Sequence, residues 1–174
     1  MMKKVLLHIC CGVCAYSAIK ALKDKGFYVE GFFYNPNIEP LDEYIKRKDT
    51  AAEVCQISKV SISEGSYSPQ QWHDIIDGYK DDIEGGRRCD LCYEMRLRET
   101  LRVCQEKKID FFTTTLTISP YKNSNKIHQI GKKLSDSRFL AVDFKKNDGF
   151  KETMRFAKKH NLYRQNYCGC LYNR

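Results

Sequence analysis

A chain of 174 residues holds one core of ordinary size and is short for two. No apolar run nears the ~20 residues of a membrane span, and the few apolar residues after Met1-Met2-Lys3-Lys4 argue against a signal peptide, so a cytoplasmic protein is expected. The formal charge of +8 is one-sided: Lys122 to Arg174 carries thirteen Lys/Arg against four Asp/Glu, and the rest carries seventeen against eighteen. Such a face suits a polyanion such as RNA, or is simply solvated.

Lys3 to Ile9 is a nearly continuous apolar run, as a buried parallel strand requires. Ala15 to Lys25 has Ala15, Ala18, Ile19 and Leu22 at helical spacing, with Gly26 placed to cap it. Phe27 to Tyr34 reads as a second, aromatic-rich strand. Asn35 to Pro40, with two prolines and two asparagines, reads as a loop. A helix is expected from Leu41 to Cys55, with Leu41, Tyr44, Ile45, Ala52 and Cys55 inward. A third strand follows from Gln56 to Ser63, then a polar loop from Glu64 to Ser68. Pro69 to Tyr79 suits a short helix, since proline fits a first turn and Trp72, Ile75 and Ile76 make a stripe. Gly85-Gly86 leads into a long helix, Arg88 to Lys107, whose apolar residues recur every three and four positions. Asp110 to Leu116 is a fourth strand, Thr117 to Asn123 a loop, Ser124 to Ser135 a helix and Phe139 to Phe144 a fifth strand. Residues 150–160 form a basic helix and residues 162–174 an aromatic, polar tail.

This alternation predicts one α/β domain, residues 1–174, with a single parallel sheet and helices on both faces. Ligands of such sheets sit outside the carboxyl ends of the strands. The loops at Cys10–Cys14, Asn35–Pro40, Glu64–Ser68, Thr117–Asn123 and Lys145–Gly149 should therefore share one edge.

Nine cysteines in a reducing compartment read as metal ligands or redox groups rather than disulfides. Cys55 and Cys104 stand alone in apolar patterns and belong to the core. The other seven fall into Cys10/Cys11/Cys14, Cys89/Cys92 and Cys168/Cys170. Cys10 and Cys11 are adjacent, and neighbours on an extended chain point to opposite sides. A turn is needed to bring both sulfurs to one object, and Gly12 is the residue expected to supply it. Cys89 and Cys92 share a face at a helix start, where the helix dipole with Arg87 and Arg88 favours thiolate. Cys10, Cys11, Cys89 and Cys92 then offer four thiolates to one metal centre, with Cys14 in reserve. An iron–sulfur cluster spreads its ligand positions and accepts adjacent donors. Zinc is the competing reading, although its structural sites usually take spaced pairs. The spacing differs from the compact ferredoxin run.

Cys168-Gly169-Cys170 can form a strained, easily reduced disulfide, hold a second metal, or be two unconnected thiols. Tyr163, Arg164, Gln165, Asn166 and Tyr167 beside it suit contact with bases. Tyr121-Lys122-Asn123 can hold a phosphate and a base, or form a turn with a helix cap. His8 reads as a satisfied core histidine and Asp143 as a candidate acid or metal ligand.

Taken in order, several stretches resemble the QueH-type epoxyqueuosine reductases. They are His8-Ile9-Cys10-Cys11-Gly12-Val13-Cys14, Tyr34-Asn35-Pro36-Asn37-Ile38 with Glu43-Tyr44, and Arg88-Cys89-Asp90-Leu91-Cys92-Tyr93 with Arg96-Leu97. Thr114-Thr115-Leu116 with Ser119-Pro120-Tyr121-Lys122-Asn123, and Tyr163 through Cys170, complete the series. The resemblance implies reduction of epoxyqueuosine to queuosine at the wobble position of a tRNA anticodon loop. It implies a 4Fe-4S cluster without cobalamin, and a sheet like that of the PP-loop nucleotide hydrolases. Cysteines stand where those enzymes carry a Ser-Gly-Gly phosphate loop, so ATP use is not expected. Deoxygenating an epoxide takes two electrons and two protons. The Cys168/Cys170 dithiol could supply them, or an additional mononuclear iron beside the cluster, with Asp143 or Asp90 completing its shell, could polarise the oxygen. A separate electron donor is an implied partner. Two other functions fit a cysteine-rich basic domain: an iron–sulfur tRNA thiolase, which needs ATP or a persulfide source, and a colourless zinc-stabilised RNA-binding module.

Overall fold

The computed structural model describes residues 2–173; Met1 and Arg174, the ends of the expected domain, lie outside the described residues. The chain runs β1 (Lys4–Ile9), α1 (Gly12–Asp24), β2 (Tyr28–Phe33), α2 (Leu41–Ile57), β3 (Ile62–Glu64), α3 (Pro69–Ile75), α4 (Arg87–Glu106), β4 (Phe111–Thr114), α5 (Ser124–Ser135) and α6 (Gly149–Lys159). The four strands form one parallel sheet in the order β3-β2-β1-β4. β1 is central: Val5 pairs with Val29 and Phe111, and His8 with Phe32 and Thr114.

Side chains of a strand alternate between faces, and β1 serves both cores in this way. Val5, Leu7 and Ile9 pack with Ala15, Ile19 and Leu22 of α1, Val54 of α2 and Phe156 of α6. Leu6 packs on the other face with Trp72 of α3, Leu97 of α4 and Ile127 of α5. Each such fully buried aliphatic or aromatic side chain contributes roughly 1.5–3 kcal/mol. Tyr16 stacks on Phe156 at 3.7 Å between ring centres, and Ser17 donates to the Gly149 carbonyl at 2.9 Å, so α1 and α6 are tied by both kinds of contact. Gly26 adopts φ +81° after α1, as a glycine cap does.

Three expectations need correction. The segment from Phe139 to Phe144 is not a strand. It makes a single parallel bridge, Phe112 with Phe139, and then runs irregularly beside β4. The reason is threonine: Thr113 and Thr117 donate their hydroxyls to the Leu140 and Val142 carbonyls, replacing ladder bonds. Second, α2 continues to Ile57, so the third strand is only Ile62–Glu64. The inner face of α2 also differs: Leu41, Ile45 and Ala52 face outward, and Glu43, Tyr44, Arg47, Ala51, Val54 and Cys55 are buried. Third, Gly12 is not there for a turn, since it sits at the first position of α1. A Cβ on it would lie 2.5 Å from the Thr50 carbonyl carbon and 2.6 Å from the Ala51 nitrogen. Glycine is needed because the start of α1 rests directly on the backbone of α2.

Candidate active site at the carboxyl edge of the sheet

From β1 the chain moves outward through β2 to β3 and then returns to place β4 on the other side of β1. A ligand crevice forms where the order reverses. Cys10 and Cys11 directly follow β1 at that point. The Cys10 amide donates to Thr115 Oγ1 at 3.1 Å, and the same hydroxyl lies 3.6 Å from the Cys10 sulfur. One residue pair deeper, His8 Nε2 is 3.0 Å from the Tyr34 carbonyl and Nδ1 is 2.9 Å from Thr114 Oγ1. A carbonyl only accepts, so Nε2 carries the hydrogen and Thr114 donates to Nδ1. Burial, reinforced by the charge of Arg96, lowers the His8 pKa to about 3. His8 is therefore a neutral pin joining β1 to both neighbours.

The second cysteine pair lies on the first turns of α4. Cys89 accepts from the Gly85 amide at 3.2 Å, and Cys92 is buried. Arg96 follows one turn later, and positions four apart share a helix face. Its Nη2 lies 3.0 Å from the Cys92 sulfur, its Nε donates to the Cys92 carbonyl at 3.1 Å, and its Nη1 reaches Asn35 Oδ1 at 3.4 Å. Arg96 is only 3% exposed, and among the described residues no carboxylate lies within salt-bridge distance of it. The groups that supply negative character around it are Cys92, Cys10, Tyr93 and Cys168. A buried cation costs several kcal/mol unless something opposes it, and these sulfur and phenol groups are the ones placed to do so.

The tail brings the third group. Gly169 has φ +101°, and a Cβ there would lie 2.8 Å from Ile38 Cγ1, so glycine is required twice over. The Cys170 amide points at the Cys168 sulfur at 3.4 Å. The tail is strapped to α2: Arg47 donates to the Cys168 carbonyl at 3.1 Å and the Tyr167 carbonyl at 3.0 Å. The buried Glu43 carboxylate takes the Arg47 Nε at 2.6 Å and the Tyr163 hydroxyl at 2.6 Å. At the far end, the Tyr172 hydroxyl lies 2.9 Å from His73 Nδ1 of α3.

Cys89, Cys92, Cys168 and Cys170 line one cavity with Asn37, Trp72, Glu84, Arg88, Tyr93, Arg96 and Lys122. Cys10 joins through the shared field of Arg96 and Lys122. Hydrogen bonding to Cys11 and burial raise the Cys10 thiol well above its usual value. Cys10 lowers Cys11, but Cys14 and burial outweigh it and push Cys11 up to about 12. Burial takes Cys92 to about 11 against the pull of Arg96, and a hydrogen bond donated to Cys168, with burial, raises Cys170. Among the described residues no three His, Cys, Asp or Glu side chains are arranged around one point to hold a metal ion. With their pKa values raised, Cys10, Cys11 and Cys92 are held towards the neutral thiol.

The residues nonetheless fit a thiolate-ligated group. Arg96 is a buried positive charge facing thiols. Asn37 Oδ1 and Trp72 Nε1, both from residues of the cavity wall, are buried without a hydrogen-bond partner among the described residues. Buried orphan groups of this kind mark a missing ligand or water. Neither Arg96, Asn37 nor Trp72 stood out by residue type. Arg96 and Asn37 fall within the stretches that carry the family resemblance, Arg96 one turn after Cys92, but their sequence context alone assigns neither a role.

The other expected residues are spread around this centre. Lys122 is on the cavity wall, and Tyr121 is exposed beside it. Asn123 caps α5, accepting from the Asn125 amide at 2.9 Å and the Lys126 amide at 3.3 Å. Asp143 stands outside the wall, 3.4 Å from Lys145 Nζ, and Lys145 in turn holds Ser124 Oγ and the Thr117 and Lys122 carbonyls. Asp90 pairs with Lys126 at 2.9 Å. Arg164 is exposed on the tail, near Met154. Cys55 and Cys104 are buried in the core, as expected.

Fold and site together define a three-layer α/β protein with a cysteine-rich cavity at the carboxyl edge of one parallel sheet. Solved structures with this fold include the U34-tRNA thiolase NcsA from Methanococcus maripaludis with its [4Fe-4S] cluster, at TM-score 0.61 and 15% identity over 99% of this chain and 62% of that one. A predicted subunit of tRNA methyltransferase from Methanocaldococcus jannaschii matches at TM-score 0.60 and 12% identity, over 90% and 74%. The chain belongs to the QueH epoxyqueuosine reductase family, whose model matches residues 5–174. Epoxyqueuosine reductase QueH of Thermotoga maritima is 35% identical over 99% of this chain and 91% of its own length. The Streptococcus pyogenes relative of the same name is 33% identical over 97% and 69%.

Proposed function

We propose that this protein reduces epoxyqueuosine to queuosine in the anticodon loop of tRNA. The observation that carries the reading is the meeting of three cysteine groups from distant parts of the chain around one buried guanidinium, Arg96. Family membership supports the same substrate. The fold likeness to a thiolase, at 15% identity, carries no reaction with it.

Cys10, Cys11, Cys89 and Cys92 hold a 4Fe-4S cluster, with Arg96 and Lys122 opposing its negative charge. When bound, that cluster supplies electrons one at a time. Cys168 and Cys170 act as a dithiol at the cavity wall. Two thiols becoming one disulfide release two electrons and two protons. An epoxide accepting both becomes an alkene and one water, so the step balances. The disulfide is then returned to dithiol by an external electron donor. The competing use of the pair, with Asp143 or Asp90, is to hold one mononuclear iron. In either case Gly169 and the Arg47 strap fix where the two sulfurs stand. The tail residues 162–174 thus act as a redox-active closing segment of a single cytoplasmic domain. Lys122 and Arg164, with Tyr121 and Asn123, lie on the RNA side, and the basic last third holds the tRNA backbone.

The test is anaerobic. Purified protein is reconstituted with iron and sulfide, incubated with epoxyqueuosine-containing tRNA and a reductant, and the nucleosides are separated after digestion. Queuosine appearing with iron and sulfide in the protein supports the proposal. A colourless zinc protein that binds RNA without turnover would favour the RNA-binding module, and sulfur incorporation into the nucleoside would favour the thiolase.

A further inference from the structure

Two large apolar side chains are exposed far beyond any other among the described residues. Tyr121 is 87% exposed and Ile83 is 82%, and the next is Met2 at 59%. A single exposed apolar residue is normal, but this pair shares a location. Ile83 precedes Glu84 and Tyr121 precedes Lys122, and both Glu84 and Lys122 line the cysteine cavity. Each is thus the chain neighbour of a wall residue, on a different loop.

Both loops are held. Arg88 Nη1 donates to the Lys80 carbonyl at 2.7 Å and the Asp82 carbonyl at 2.6 Å, and the Gly86 amide donates to the Ile83 carbonyl at 3.1 Å. On the other loop, the Tyr121 amide donates to Ser119 Oγ at 3.3 Å and the Lys122 amide to the Ser119 carbonyl at 3.3 Å. The Ile83 loop is also tied to α5, the helix that follows the Tyr121 loop: Lys126 of α5 donates to the Gly85 carbonyl at 2.8 Å. A fixed loop that presents an apolar side chain to water is a surface prepared for a partner.

We propose that Ile83 and Tyr121 form a two-sided clamp that takes unstacked nucleobases of a single-stranded RNA loop at the mouth of the cavity. The proposal rests on the tRNA reading above and names how the loop is engaged. A splayed base offers two apolar faces, which an aromatic ring and an aliphatic side chain can cover, and a duplex offers none of them. The charge fits: Lys122 is on the cavity wall, and the last third of the chain, which holds it, is strongly basic.

The experiment measures binding of an unmodified anticodon stem-loop RNA to the full chain by fluorescence anisotropy at fixed salt, with a blunt duplex of equal length as control. The variants are Ile83→Ala, Tyr121→Ala, both together, and Tyr121→Phe. The clamp predicts that each alanine weakens stem-loop binding roughly tenfold, that the double variant weakens it further, and that Tyr121→Phe stays close to the parent. Duplex binding and thermal stability should not change. Alanine variants that bind the stem-loop within twofold of the parent overturn the clamp and leave the tRNA reading in place. Variants that bind RNA normally but lose turnover only when electrons come from a protein donor would assign the surface to that donor and also overturn it. A parent chain with no affinity for the stem-loop sinks the clamp and the tRNA reading together.

Discussion

The guanidinium of Arg96 lies 3.0 Å from the sulfur of Cys92, one turn earlier on α4. Charge-assisted hydrogen bonds of this kind contribute about 1.5–3 kcal/mol. With no carboxylate within salt-bridge distance of it among the described residues, this charge favours thiolate and an anionic metal group over the neutral thiols. Replacing Arg96 by Gln should lower iron retained per chain several-fold. It should also shift the potential of the remaining cluster downward by on the order of 60 mV, a tenfold change for one electron. Arg96→Lys should recover part of both. Iron analysis and a redox titration followed by absorbance check this, and an unchanged potential in Arg96→Gln would remove Arg96 from any electrostatic role.

The strap from α2 makes a separate prediction. Arg47→Ala leaves the Glu43 carboxylate buried without its cation, and breaking such a pair costs about 3–5 kcal/mol. Arg47→Lys keeps the charge but loses the fork that holds the Tyr167 and Cys168 carbonyls. Its hydrogen exchange should rise over residues 163–172 while β1 and β4 stay protected. Turnover should fall more than substrate affinity. Equal protection of the tail in parent and Arg47→Lys would show that the strap is not what holds it.

Acid should loosen the metal-free protein through His8. Its folded pKa is lowered to about 3, by burial first and Arg96 second, against about 6.5 for an unfolded histidine. Between those values the unfolded chain binds the extra proton, so stability falls as pH drops from about 6.5 towards 3. Above 6.5 this contribution is fully present. The slope from this group approaches about 1.4 kcal/mol per pH unit. Denaturation midpoints from pH 7 to 4 should show a shallower slope in His8→Gln than in the parent, although the variant is less stable at pH 7.

Gly12→Ala tests the helix contact. The added methyl would meet the backbone of Thr50 and Ala51 at 2.5 and 2.6 Å, and backbone cannot swing aside. Overpacking of this kind costs about 1–3 kcal/mol. Because Cys11 immediately precedes Gly12, the variant should lose both stability and metal capacity, read by urea denaturation and iron content. A loss of stability with full metal capacity would confine Gly12 to the fold.

Thiol labelling should separate core from site. Burial takes Cys55 to about 12 and leaves it without exposed surface, and Cys104 is equally buried. Reactivity needs thiolate and access. In metal-free protein at pH 8, the half-buried Cys89 and Cys168 should be alkylated before Cys10, whose thiol is raised, and Cys55 and Cys104 only after unfolding, as peptide mass spectrometry would show.

Periodicity made β1, β2, β4 and most helices legible, because each places its apolar residues on one face or two. It failed at Phe139–Phe144, where residue type suggests a strand but the Thr113 and Thr117 hydroxyls take the carbonyls that a ladder would use. It also failed on α2, where Leu41 and Ile45 look like core while a charged pair, Glu43 and Arg47, occupies the buried face. That face is polar because it holds the tail, a partner 120 residues away that no local pattern contains. Cysteine spacing singled out Cys89, Cys92, Cys168 and Cys170, which line one cavity. Arg96 and Asn37 lie inside the resembling stretches without a role assigned to them, and Trp72 reads as core, since an arginine in a polar helix and a tryptophan in an apolar stripe have ordinary explanations.

Trp72 is the chain's one tryptophan, is 1% exposed, and belongs to the wall of the cysteine cavity. The protein therefore carries an internal optical gauge. Its emission comes from a single apolar location and should be blue in the empty protein. Any iron–sulfur chromophore entering the cavity would absorb that emission at contact range and darken it. Filling and emptying of the site could then be followed in real time, in an anaerobic cuvette, with no label and no mutation.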